Sequence, residues 1–309
     1  MGVILAAGKG TRMQPFSERY PKPILPVGGR PLIAHQLEKM AALGIEDVVV
    51  VIGHLGHEVV RTLGDGARFG LRLRYVEQGE TLGIAHAVSR LEPHVDRPFF
   101  LFLGDIFFET ANLGAMVDRL HGDDPASAVL AVKREPDPAA IKRNFVVMIG
   151  DGERVVRVVE KPRFPRTDLK GCGIYLFDPA FFDAVRRTPR TAMRDEYEIT
   201  DSIQIFIDDG YRVAAAEVIH ADLNLSYAKD LLDLNLHLLD RSGQTVLRGA
   251  DVTVHPGARI ERCVLMDGAV VDAPIALRDV LMFPGARLQH ASDLRNAILT
   301  ADAEIRFED

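Results

Sequence analysis

Residues 2–13, GVILAAGKGTRM, set a short apolar run against a loop punctuated by glycine. Five apolar residues that stop at a glycine read as a strand buried on both faces, the habit of parallel sheets. The same wording returns in DVVVVIG (47–53) and FFLFLGD (99–105), with RLRYVEQ (72–78) between them. Helical patterns separate these runs. PLIAHQLEKMAALG (31–44) has Pro31 at a first helical position, Gly44 as a stop, and Leu32, Ile33, Leu37, Met40 and Ala41 on one face. HEVVRTLG (57–64) and IAHAVSRLE (84–92) continue the alternation. Strand–helix–strand repetition implies right-handed crossovers. The expected fold class is therefore α/β: a Rossmann-like, mainly parallel sheet flanked by helices. Ligands of such sheets bind beyond the carboxyl ends of the strands, and GKGTR, EQGETLG and GD each follow a strand there.

The chain of 309 residues carries 37 Lys and Arg against 44 Asp and Glu, a net charge of −7, with the basic residues spread rather than clustered. That balance argues against a nucleic-acid groove or a membrane-surface patch. The two cysteines, Cys172 and Cys263, form no secreted disulfide framework. The start MGVILAAG lacks a positive n-region, and the longest apolar run, PFFLFLGDIFF (98–108), is too short for a bilayer and holds Asp105. A cytoplasmic location is expected.

Beyond SYAKDLLDLNLHLLDR (226–241) the helical period disappears. PGARI (256–260), DGAVV (267–271), PGARL (284–288) and ADAEI (301–305) place a turn residue at 257, 268, 285 and 302. Repeats of this kind suggest stacked β-coils, a small C-terminal domain like a left-handed β-helix at 242–309, after an α/β domain at 1–241. Ordinary hairpins are the plainer alternative.

The loop GKGTRM (8–13) fits the first two positions of a dinucleotide fingerprint, but Met13 stands at the third glycine, and the P-loop pattern fails as well. A glycine loop can still bring its N–H groups against phosphate oxygens, and Arg12 would add a bidentate phosphate ligand. In YPKPILPV (20–27), prolines on either side hold Lys22 in one place. Asp105 ends a buried strand, where a carboxylate can hold Mg²⁺ against a triphosphate or merely cap a turn.

LAAGKGTRMQP followed by PKPILPV resembles the signature of the sugar-1-phosphate nucleotidyltransferases, the glucose-1-phosphate thymidylyltransferases above all. QGETLGIAHA (78–87), GD (104–105), EKP (160–162), GIY (173–175) and RDEYEITD (194–201) follow in family order. The resemblance implies a nucleotide-diphospho-sugar transferase fold and attack of a sugar 1-phosphate on the α-phosphorus of a nucleoside triphosphate, releasing pyrophosphate. It implies that Ala7, Gly8, Gly10, Thr11, Arg12, Gln78 and Gly83 bind the nucleotide, and that Arg12, Lys22 and Asp105 are catalytic. By the same likeness Glu160, Lys161, Gly173 and Arg194 hold the sugar phosphate, and Asp105 and Asp222 the metal, Mg²⁺. Glu198 and Asp201 would organise the start of a helix. His220, two residues before Asp222, is left out, since hard oxygen ligands suit a phosphate-bound Mg²⁺. His54 and His57 in GHLGHE (53–58) read as loop residues.

Gln78 offers one donor and one acceptor, which complements the O4 and N3–H edge of uracil or thymine, so dTTP or UTP is expected. The neighbouring Glu77 keeps guanine, and a mannose-1-phosphate guanylyltransferase, as an alternative. In RNFVV (143–147) Phe145 occupies the place of the glycine usual in the thymidylyltransferases, which leaves glucose 1-phosphate as a default only. Two further classes stand beside this reading: a non-catalytic nucleotide-sugar sensor or scaffold, and a bifunctional acyltransferase whose histidine would be His255 or His290. The short coils would pair their open edges, so a homo-oligomer is expected.

Overall fold

Val3, Ile4, Val48 to Val51 and Phe99 to Phe102 are buried in the structure, a computed structural model that describes residues 1–192, 195–288 and 292–308. Burial on both faces is what the unbroken apolar runs demanded, and it places Gly2–Ala6 at the centre of a nine-stranded sheet. From one end the order is Val155–Glu160, Phe145–Ile149, Leu169–Phe177, Phe99–Leu103, Gly2–Ala6, Asp47–Ile52, Arg72–Glu77. Ala128–Arg134 also pairs with Leu169–Phe177, and Val213–Glu217 pairs with Ala128–Arg134. Following the pairings, seven of these nine strands run one way; Leu169–Phe177 and Val155–Glu160 run the other. The mainly parallel α/β reading therefore holds. Ring stacking fills the core behind the long antiparallel strand: Phe177 and Phe181 lie 3.8 Å apart at 2°, and Phe99 and Phe182 5.5 Å apart at 11°.

The chain divides into two compact units. The first comprises residues 1–9, 19–23 and 33–222, and the second residues 10–18, 24–32 and 223–309.

Within the second unit, Val246–Arg248, Arg259–Leu265, Ala276–Met282 and Leu294–Leu299 stack as parallel rungs. Each rung faces a residue 17 positions on, as Val246 faces Cys263 and Arg259 faces Ala276. Left-handed corners recur at the same interval, at Asp251, Gly268 and Gly285 and again at Arg262, Asp279 and Asn296. Stacked β-coils are thus present, with one difference from the sequence pattern. PGARI does not share a corner with DGAVV and PGARL: Gly257 falls opposite Pro274, and Asp251 is the residue in phase with Gly268. An aspartate takes the left-handed turn where glycine was sought, because a short polar side chain tolerates it. Glu304–Arg306 then turns back antiparallel on Leu294–Leu299 and ends the stack.

Candidate active site

Past Ala6 the chain leaves the sheet, and Gly8, Lys9, Thr11 and Arg12 are exposed. Gly10 adopts φ 62°, and the N–H of Met13 donates to its carbonyl at 2.8 Å, closing the short turn Thr11–Met13. Met13 is fully buried, so an apolar anchor holds the loop where a dinucleotide fold would have its third glycine. In the second unit, the Arg12 guanidinium lies 5.3 Å from the centre of the Tyr227 ring.

The first unit brings Lys22 and Asp105 together across 83 residues of sequence: Nζ donates to Oδ2 at 3.2 Å, with the side chains 11% and 44% exposed. Lys22 starts the short turn Lys22–Ile24, and Asp105 follows the strand Phe99–Leu103. The turn that carries Asp105 is braced from beneath by Gln36. Its Nε2 donates to the carbonyls of Leu103 and Ile106, both at 2.8 Å, and the side chain is buried. Gln36 was missed in the sequence, although a signal exists. It falls on the apolar face of its helix, between Ile33 and Leu37, where a polar residue needs a reason.

Gln78 and Gly83 also meet. The Gln78 amide nitrogen lies 3.4 Å from the Gly83 carbonyl and 3.4 Å from Nδ1 of His86. At Gly83, φ is 109°, and a Cβ would come within 2.5 Å of the Tyr197 carbonyl. The loop after Arg72–Glu77 is thereby pressed onto the backbone of the EYEITD segment, and the N–H of Ala85 donates to the Tyr197 carbonyl at 3.0 Å. Glu198 is buried just ahead of Ile199–Asp208, and Asp201 lies in that helix's first turn.

Glu160 ends Val155–Glu160 and accepts from Thr200 Oγ1 at 3.4 Å; Lys161 Nζ lies 3.6 Å from its other oxygen. Lys161 has φ 42°, a left-handed backbone that a lysine adopts only under constraint. Phe145, directly opposite Glu160 in register, is buried against Tyr175 with ring centres 6.1 Å apart. Its ring fills the space where a Cβ on Gly171 would stand, within 1.8 Å. The glycine absent at 145 is thus matched by one across the strand pair. Gly173 sits in the register break between Gly171 and Tyr175 with φ 71°. Arg194 and His290 lie outside the described residues.

Asp222 lies on Ile219–Asn224 among charges. Lys170 Nζ donates to its Oδ1 at 2.8 Å, and Lys133 Nζ is 3.2 Å from the same oxygen. Lys133 also pairs with Glu135 at 2.9 Å. Burial opposes the ionisation of Glu135, but the Lys133 hydrogen bond, the Asp137 N–H and the two lysine charges outweigh it and hold the carboxyl below its usual range. Burial likewise acts first on Lys133, and Glu135 with Asp222 outweigh it and raise the ammonium.

Asp105 suits a hard divalent cation: it is half exposed, and its Oδ1 has no partner among the described residues. Groups of three or more His, Cys, Asp or Glu able to hold a metal do not occur among the described residues. Cys172 and Cys263 are buried free thiols, and no helix among the described residues is long and apolar enough to cross a membrane.

Residues 1–238 match the model of the nucleotidyl transferase family. A glucose-1-phosphate thymidylyltransferase of Streptomyces antibioticus is 33% identical over 296 residues, covering 91% of this chain and 80% of its own. A UTP–glucose-1-phosphate uridylyltransferase of Haloferax volcanii is 35% identical over 242 residues, covering 78% of this chain and 98% of its own. Among solved structures, a Bacillus anthracis protein assigned as a glucose-1-phosphate thymidylyltransferase, in complex with sucrose, superposes with a TM-score of 0.68. It is 28% identical and covers 77% of this chain and 95% of its own.

Proposed function

The chain belongs to the nucleotidyl transferase family, and from that premise we propose that it joins a nucleoside triphosphate, dTTP or UTP, to a sugar 1-phosphate and releases pyrophosphate. The observation that carries the proposal is the contact of Lys22 with Asp105 at the carboxyl end of the parallel sheet, two matched residues far apart in sequence and adjacent in space. Glucose 1-phosphate is the default acceptor, as the substrate named for the relatives.

The reaction needs no protein nucleophile, so the residues act by position and charge. The Lys22 ammonium, largely buried and held by its flanking prolines, is a fixed cation for the phosphates. By family likeness Arg12 and the N–H groups of Gly8 to Thr11 bind nucleotide phosphates. Lys161, presented on a strained backbone, takes the phosphate of the sugar, and Glu160 beside it accepts from sugar hydroxyls. Arg194 joins them by family likeness. Gln78, with Gly83 beside it, reads the base edge. Asp105 would hold Mg²⁺, which would supply positive charge to offset that of the phosphates. These groups fall within 1–241, the catalytic domain, with 242–309 as a β-helix-like tail.

Pyrophosphate release measured with Mg²⁺ for each of five nucleoside triphosphates against a panel of sugar 1-phosphates tests this. Turnover is expected with dTTP or UTP, falling at least about 100-fold in Asp105→Asn. Turnover with GTP alone would overturn the base assignment, and none with any pair would overturn the function.

A further inference from the structure

Lys133 and Lys170 are directly opposite one another in the antiparallel pairing of Ala128–Arg134 with Leu169–Phe177, so their side chains share one face. Like charges so placed repel, and here both are well covered, with side chains 18% and 4% exposed. Two buried ammonium groups stand together only with negative charge between them. Asp222 supplies it. Its Oδ1 takes both lysines, its Oδ2 lies 2.8 Å from Lys170 Nζ, and its side chain is 1% exposed. Glu135 balances the other half of the cluster, 2.9 Å from Lys133 and 3.7 Å from Lys170. Two cations thus meet two anions.

That arrangement does not suit a metal ligand. Mg²⁺ requires an oxygen at about 2.1 Å, a near-octahedral shell and several retained waters. Oδ2 of Asp222 makes no hydrogen bond, but the Lys170 ammonium lies against it, and the side chain has almost no open surface. A cation already occupies the place.

We propose that Asp222 is the counter-ion of Lys170 and Lys133 and not a ligand of the divalent cation of the reaction, which leaves Asp105 as the carboxylate that holds it. One carboxylate is enough when substrate phosphates complete the shell. Lys170 is then a positioning residue that fixes Asp222 and, with Lys133, keeps a net-neutral floor at this end of the sheet. The metal half of the inference rests on the proposed nucleotidyl transfer; the counter-ion half does not.

Two measurements decide it. The first is a double-mutant cycle on urea unfolding with Lys170→Met, Asp222→Asn and both together. Each single change is expected to lower the unfolding midpoint, and the pair to recover most of the loss, because Lys133 and Glu135 remain matched. Independent, additive losses would overturn the counter-ion role. The second is Mn²⁺ uptake, read by electron paramagnetic resonance with a non-hydrolysable dTTP analogue. Uptake is expected to weaken at least tenfold in Asp105→Asn and to stay within about twofold of wild type in the Lys170→Met/Asp222→Asn pair, a fold-change below half a kcal/mol. A tenfold loss in that pair would restore Asp222 as a ligand. Wild-type protein that takes up no Mn²⁺ with the analogue would count against the transferase reading, while the unfolding cycle would still decide the counter-ion role.

Discussion

Gln36 does its work through two hydrogen bonds, both from one amide nitrogen to the carbonyls that bracket Asp105. Replacing it by leucine keeps the bulk and leaves those two carbonyls without that donor, at a cost of about 2 kcal/mol. The turn is then free to shift, and a displacement of a charged group by an ångström slows such reactions strongly. Gln36→Leu is accordingly expected to lose about tenfold in kcat while KM for the sugar phosphate holds. Steady-state kinetics beside urea unfolding check this, and unchanged kcat would remove Gln36 from the site. At this scale the motifs alone singled out Lys22 and Asp105, whose side chains the fold brings within 3.2 Å of each other. The sequence was not legible at Lys170, a lysine inside an apolar strand whose meaning depends on Lys133 and Asp222 from other strands. Phe145 was visible as a departure, but Gly171, the residue that makes room for its ring, could be found only across the strand pair.

Between elements of the second unit, Arg262 joins a helix to the coils. Its guanidinium donates to both oxygens of Asp240, at 2.9 and 2.7 Å, near the end of Ala228–Arg241, and also to Asp279 on the next rung. The pairs are partly exposed, so screening limits their worth. Arg262→Ala should cost about 1 kcal/mol, which for a chain of this size lowers Tm by about 2 °C. The hydrogen bond from Arg262 is the main reason the Asp240 carboxyl is held below its usual range. A depressed carboxylate stabilises the fold above its unfolded value near 3.8 and loses that contribution as pH falls through the lower folded value. The Tm difference between wild type and variant is therefore expected in full at pH 7 and should shrink steadily as pH falls below 3.8; a gap that does not shrink below that pH would rule out the ionic account. In the first unit the strands Gly2–Ala6, Asp47–Ile52 and Phe99–Leu103 followed from the pattern alone, because burial on both faces leaves long apolar runs. The phase of the coils did not, because Asp251 turns the corner that the repeat pattern gives to Gly257.

The second unit gathers residues 10–18 and 24–32 with 223–309, so the loop that carries Arg12 folds with the C-terminal part of the chain. Phe16 stacks on Phe283 with ring centres 5.3 Å apart and is almost wholly buried. Asn235 clasps the other segment: its side chain accepts from the Gly28 N–H at 2.9 Å and donates to the Pro26 carbonyl at 3.0 Å. Helix Ala228–Arg241, which carries Asn235, packs on Arg259–Leu265, Ala276–Met282 and Leu294–Leu299. Ending the chain at residue 241 would keep every matched catalytic residue yet strip Phe16 of its partner and the helix of its cover. The uncovered phenylalanine alone costs about 2 kcal/mol, and the leucines of the helix face add to it. A 1–241 fragment is thus expected to bind a hydrophobic dye, to scatter light as an aggregate, and to turn over at less than a tenth of the full chain's rate. Size exclusion with light scattering, run beside the full chain, reads the outcome and the subunit number together. A monodisperse 1–241 fragment with the full chain's Tm and activity would mean that the coils serve assembly only, and that the Arg12 loop holds its shape without them.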